Sequence, residues 1–183
     1  LYGSSLISYG GLINVATKKP QHSSLNGEVS YKTKSFGLNS MNMNRVTADV
    51  NAPVSDDLAL RINGSFHDED SFQDAGFRRS FFLAPSLSYK PTRDLSVLVS
   101  SELYTSEQTN PTMLFMNRAV PLEATTVEEL GYDPQHSFTD DDVTIRTPTF
   151  GVQTQMQYKL SEQWETQTAA SFSSASSEGY YSY

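Results

Sequence analysis

The strongest constraint on this chain is an apolar and polar alternation with a period of two residues, which returns again and again along 183 residues. Successive side chains of an extended strand point to opposite faces, so this pattern predicts β-strands with one apolar and one polar face; a helix, with a period of 3.6, does not satisfy it. In 58–67 one face reads Leu58, Leu60, Ile62, Gly64 and Phe66, and the other Ala59, Arg61, Asn63, Ser65 and His67. In 80–89 Phe81, Leu83, Pro85, Leu87 and Tyr89 oppose Ser80, Phe82, Ala84, Ser86 and Ser88, with Phe82 the one bulky exception. Segments 95–104, 149–160 and 164–173 repeat the pattern. The clearest sets Phe150, Val152, Thr154, Met156, Tyr158 and Leu160 against Thr149, Gly151, Gln153, Gln155 and Gln157. Shorter versions lie at 25–33 and 45–51, where Val46, Ala48 and Val50 oppose Arg45, Thr47 and Asp49. No apolar face in the series carries a charge.

The links between these strands alternate in length. Residues 52–57, 90–94 and 161–163 are tight and rich in Pro, Asp and Ser, which break strands and favour turns. The links at 34–41, 68–77 and 106–146 are longer, which predicts short turns on one rim of the sheet and long loops on the other. That asymmetry is characteristic of outer-membrane barrels. The longest link exceeds the usual loop of a compact domain and is expected to be functional, with a short helix near 127–130.

An antiparallel sandwich would alternate in the same way, its apolar faces packed inward. Two features favour a membrane barrel instead. The polar faces use Ser, Gln, Thr, Ala and Gly more than Lys and Glu, and Tyr89, Tyr158 and Trp164 stand beside the short turns, where interfacial aromatics belong. The mean hydropathy of −0.44 is no obstacle, because strands that alternate lipid-facing and water-facing residues keep the average low. No run reaches the roughly 20 apolar residues that a helical span needs. The expected fold class is therefore all-β, a fragment of a large antiparallel transmembrane barrel of about 22 strands when complete.

Charge and composition narrow the function. A net charge of −8 opposes nucleic-acid binding, since phosphates reward clustered Lys and Arg. With no cysteine, thiolate nucleophiles, thiolate metal sites and disulfides are all closed. His22, His67 and His136 lack metal-ligand spacing, and Ser4-Ser5 lacks a nucleophile elbow, so neither a metal site nor an enzyme is expected. Asp140-Asp141-Asp142, with Glu128 and Glu129, reads as a solvated acidic loop and not as a cation site. The chain opens on Leu1-Tyr2-Gly3 without a charged leader, which suits a segment whose targeting sequence lies upstream.

The N-terminal stretch adds a resemblance. Leu1-Tyr2-Gly3, then Tyr9-Gly10-Gly11-Leu12-Ile13-Asn14-Val15-Ala16-Thr17-Lys18-Lys19-Pro20, resembles the end of the plug domain in TonB-dependent outer-membrane receptors of the ferric-siderophore type. Looser likeness to their early barrel strands continues to about residue 105. The resemblance implies that residues 1–20 close a plug marked by Tyr2, Gly3, Gly10, Gly11, Asn14, Thr17, Lys18 and Pro20. It further implies a linker at 21–24 and about seven barrel strands in 25–183.

It also implies TonB-driven uptake of a ferric siderophore or similar chelate, with the TonB box upstream and outer-membrane lipid around the barrel. A receptor for cobalamin or glycans, or a surface-binding β-domain without transport, is the alternative. In the longest loop Met113, Phe115 and Met116 either contact the ligand or pack the loop onto the barrel mouth. Arg45, Asp49, Arg61 and Glu102 are expected to line the lumen, where charges need partners. In water, the open sheet edges and the apolar outer face are expected to make the isolated polypeptide aggregate.

Overall fold

The computed structural model describes residues 18–36, 41–109, 129, 131 and 133–180. Seven strands follow one another as β1 (Asn26–Phe36), β2 (Met41–Pro53), β3 (Leu58–Asp70), β4 (Phe77–Tyr89), β5 (Leu95–Thr109), β6 (Thr144–Lys159) and β7 (Glu165–Ala175), with a two-residue β8 (Glu178–Gly179). Each pairs antiparallel with the next in chain order, giving a single meander sheet. The short β8 pairs with β6 in the register that β7 already follows, so it continues β7 beyond a break opposite Pro148. Proline has no N–H to donate, and the ladder lapses there, leaving the Ser176 N–H bonded to the Pro148 carbonyl at 3.1 Å. Pro85 explains a second gap in the same way. The β3–β4 ladder runs through it unbroken, while the β4–β5 ladder omits Ala84 and Pro85.

The strands run further than the alternation marks. With β5 continuing to Thr109 and β6 starting at Thr144, the longest link is 110–143 and not 106–146. The other links on that rim shrink to 37–40 and 71–76, so the difference between the rims rests on 110–143 alone. The physical reason lies in the pairing of polar residues. Asp68 faces Arg79 and Glu69 faces Arg78 across β3 and β4, so the hydrogen-bond ladder and opposite charges carry the hairpin on after hydrophobic contrast has ended. The expected helix near 127–130 falls largely outside the described residues.

Among the described residues there is one sheet and no second layer. Ala59 is the one buried hydrophobic residue among those described, while Ile62, Phe81 and Phe172 stand 48%, 47% and 63% exposed on the apolar face. A sandwich would cover those side chains with a second sheet about 10 Å away. No described residue layers over the apolar side, and the described residues form a one-layer antiparallel wall, a fragment of a β-barrel. Residues 18–24 lie across the opposite, polar face, held there by hydrogen bonds to β2, β3 and β4.

Candidate functional site

The site grows from two neighbouring polar-face positions, Asp49 on β2 and Arg61 on β3. They are diagonal neighbours on the sheet, since Asp49 faces Asn63 and Asn51 faces Arg61 in the register. The guanidinium meets the carboxylate with two bonds, Nε to Oδ1 at 2.8 Å and Nη2 to Oδ2 at 2.7 Å. Such a two-pronged pairing fixes orientation as well as charge. Lys18 Nζ reaches the same Oδ2 at 2.7 Å, and Arg61 Nη1 donates to the Lys19 carbonyl at 3.2 Å. One carboxylate thus gathers two cations, and one guanidinium holds both the wall and the strap.

Asn51 completes the attachment. Fully buried, it accepts from the Gln21 N–H at 2.7 Å and donates through Nδ2 to the carbonyls of Gln21 and Ser24, at 3.0 and 2.9 Å. A side-chain amide can satisfy a backbone N–H and two carbonyls at once, as a strand would, without a strand being formed. Next along the strap, His22 lies between the Asp56 carbonyl, 3.1 Å from Nδ1, and the Ser88 hydroxyl, 3.0 Å from Nε2. A carbonyl only accepts, so Nδ1 carries a proton toward Asp56. Pro20 between these contacts is buried.

Two open cavities adjoin the strap on the polar face. The larger, of about 540 Å³, is bordered by Lys18, Phe82, Ser86, Glu102, Gly151 and Gln153. The smaller, of about 250 Å³, is bordered by Lys18, Glu28, Arg45, Asp49 and Ser65. Gly151 matters to the first, because a Cβ there would come within 3.1 Å of Glu102 Cγ. Beyond Arg61 and its neighbours the polar face of β5 to β7 is mainly hydroxyls and amides. Charge concentrates on β1 to β3.

A second constellation forms at the rim of the long link. Asp74, in the β3–β4 turn, accepts from the Ser137 N–H at 2.7 Å and faces His136 Nδ1 at 3.0 Å, while its own N–H donates to the Gln135 carbonyl at 2.8 Å. Gln73 Nε2 bonds to the His136 carbonyl at 3.1 Å, and the Gly76 N–H to Asp141 Oδ1 at 2.8 Å. Gly76 sits at φ 120°, and a Cβ there would lie 2.9 Å from Ser71 Cβ, so only glycine closes this turn without strain. The returning arm of the long link is thereby clasped to the β3–β4 turn.

The Ser137 N–H, followed by His136, holds the Asp74 carboxyl below the ordinary carboxylate range. Its contribution to the clasp is therefore complete above the ordinary value and disappears as pH falls through the lowered one. Asp74→Ala at neutral pH is expected to speed amide hydrogen exchange in 133–139 by about tenfold, the scale of a lost charge-assisted hydrogen bond. Acidification of the unsubstituted protein below the ordinary carboxylate range should do the same. Identical exchange in the variant would show that the clasp does not depend on Asp74.

Of the residues singled out by sequence, Asp49, Arg61 and Lys18 come together. Arg45 and Glu102 also lie on the polar face but join no ion pair with a described residue, each bordering a different cavity. Tyr89, Tyr158 and Trp164 stand at the short-turn end of the apolar face, 43%, 41% and 70% exposed. Tyr2, Gly3, Gly10, Gly11, Asn14, Thr17, Met113, Phe115 and Met116 lie outside the described residues. Asn51, His22 with Ser88, and Asp74 with its clasp were not legible as functional. Their partners are distant in the chain, and the only signal was that Asn51 extends the polar series Arg45, Thr47, Asp49. No group of three or more His, Asp or Glu among the described residues is placed to hold a metal.

A one-layer antiparallel barrel wall, apolar on one side with no described residue covering it and strapped by residues 18–24 on the other, is the class that fold and site define. Over 177 residues, 94% of its length, the chain is similar to the metal-pseudopaline receptor CntO of Pseudomonas aeruginosa, at 28% identity in strain UCBPP-PA14 and 27% in strain PAO1. The chain spans 23% of the length of these receptors. No family model matches it.

Proposed function

We propose that this chain is part of the wall of a TonB-dependent outer-membrane receptor that takes up a metal chelate. In this reading residues 1–20 end the plug, 21–24 link it to the wall, and 25–183 supply the first seven or so barrel strands. The observation that carries it is the uncovered apolar face, backed by a strap that binds the polar face through Asp49, Arg61 and Asn51. An apolar sheet face of this extent is stable only when something apolar covers it, and lipid does so without a second protein layer. Along β4 the rise from Tyr89 to Arg79 is about 33 Å of strand, or about 25 Å of height at a tilt near 40°, which matches the apolar band of such barrels.

The similarity to metal-pseudopaline receptors supports a metal bound by a small organic chelator as the cargo class, and a ferric siderophore is the specific ligand we favour within it. Met113, Phe115 and Met116 are the proposed contacts in the longest link. No bond is made or broken in the cargo; energy comes through TonB, engaged by a segment upstream of this chain.

The test is uptake of radiolabelled metal chelates by a deletion strain carrying the full-length protein, with and without TonB. Uptake that needs both the protein and TonB is expected, at least about tenfold above the deletion strain. Equal uptake without TonB would remove the transport reading. Binding without uptake would favour a surface-binding β-domain, and uptake of cobalamin or a glycan alone would replace the cargo class.

A further inference from the structure

The ladder register assembles, on the apolar side, a row that no stretch of sequence displays. Asp68 pairs with Arg79, Arg79 with Glu107, Glu107 with Arg146, and Arg146 with Glu178, so five charges of alternating sign cross β3, β4, β5, β6 and β8 side by side. The row lies on the long-link side of the apolar band. One pleat below it come Phe66, Phe81, Thr105 and Pro148, and further down the uncharged band begins. Along the paired strands the row therefore marks the line at which the apolar surface stops.

Among the described residues its charges are only partly used. Arg79 gives its Nε to Asp68 at 2.9 Å, and its side chain remains 54% exposed beside the Phe77 ring, whose centroid is 5.5 Å from the guanidinium carbon. Arg146 is exposed and, although flanked in register by Glu107 and Glu178, forms an ion pair with no described residue. A row meant only to neutralise itself would close these pairs.

We propose that this row is a docking surface for phosphate-bearing lipid headgroups with their divalent counterions. Arg79 and Arg146 take phosphate oxygens, and Glu107 and Glu178 share the cations that bridge those phosphates. The commitment to a lipid, and not to free phosphate, rests on position: the row borders the hydrocarbon-facing band, where a headgroup must lie if its acyl chains cover Phe81 and Leu103. Charge complementarity supports the same partner, because a layer of phosphates and divalent cations is itself an alternating array. The inference rests on the membrane reading above.

The experiment inserts the full-length protein into vesicles of neutral phosphatidylcholine and into vesicles that also contain a phosphorylated glycolipid with magnesium. Insertion is followed by the slower gel mobility of the unfolded form. The protein is expected to insert into both and to prefer the phosphorylated vesicles. Arg79→Gln and Arg146→Gln together should lower that preference by about fivefold per arginine, while Arg78→Gln, on the polar face, leaves it unchanged. Chelation of magnesium should lower it as well, and free inorganic phosphate should not compete.

Normal insertion with no preference, or an undiminished preference in the double variant, would overturn this proposal and leave the membrane reading standing. Competition by free phosphate would overturn the lipid assignment. Failure to insert into either vesicle would overturn both.

Discussion

Asp49→Ala in the full-length protein is expected to lower its unfolding free energy by about 3 kcal/mol, because it strands a buried guanidinium without its carboxylate. Arg61 is 9% exposed, and besides Asp49 its guanidinium donates to the Lys19 carbonyl, so little water can replace the lost oxygens. Arg61→Ala should cost a comparable amount. The double variant should cost less than the two together, since removing both charges leaves neither unpaired. Lys18→Ala should cost under about 1 kcal/mol, because that ammonium is 63% exposed and its pairing is screened. Denaturant unfolding of the protein in detergent measures all four. Additivity of Asp49→Ala and Arg61→Ala to within about 0.5 kcal/mol would show that the pair does not act as a unit.

Val152→Arg should be nearly as damaging, and its neighbour supplies the control. Val152 lies mid-band on the apolar side, in register with Ser101 and Phe172, whereas Gln153 turns to the polar face between Ser100 and Ser171. An arginine facing lipid at mid-depth costs about 2–4 kcal/mol, and one facing an aqueous lumen costs little. Val152→Arg is therefore expected to destabilise the folded protein in bilayers by about 3 kcal/mol, while Gln153→Arg stays within about 1 kcal/mol of the parent. Bilayer refolding at graded urea reads both. Equal effects would mean that the apolar side does not face hydrocarbon.

Much of the wall was legible because its signal is local. Leu58, Leu60, Ile62 and Phe66 declare their common face by spacing alone, and 52–57, 90–94 and 161–163 mark the tight turns by their breakers. Strand ends were less legible. In Asp68-Glu69-Asp70 and Arg78-Arg79 both faces are polar, and alternation vanishes although the ladder continues, which is why the link at 68–77 contracted to 71–76. The candidate site was half legible. Polar-face parity put Asp49 and Arg61 on one side, but parity says nothing of which charge meets which, or that Glu102 stands apart from them beside Gly151.

Taken by itself, the sequence determined that the chain builds two-faced strands, that one face carries no charge along the alternating segments, and which side chains belong to it there. These follow from a two-residue period that needs no knowledge of any neighbour. Only the tertiary structure decided what the faces meet: that among the described residues the apolar side has no second sheet against it, that residues 18–24 cross the polar side on Asn51, Asp49 and Arg61, and that Asp74 clasps an arm of the chain some 60 residues away. It also brought Asp68, Arg79, Glu107, Arg146 and Glu178 into one line. The reason is register. Sideways neighbours in a sheet are set by where each hairpin turns, and a shift of a single residue at any turn would send every one of these partners to the other face.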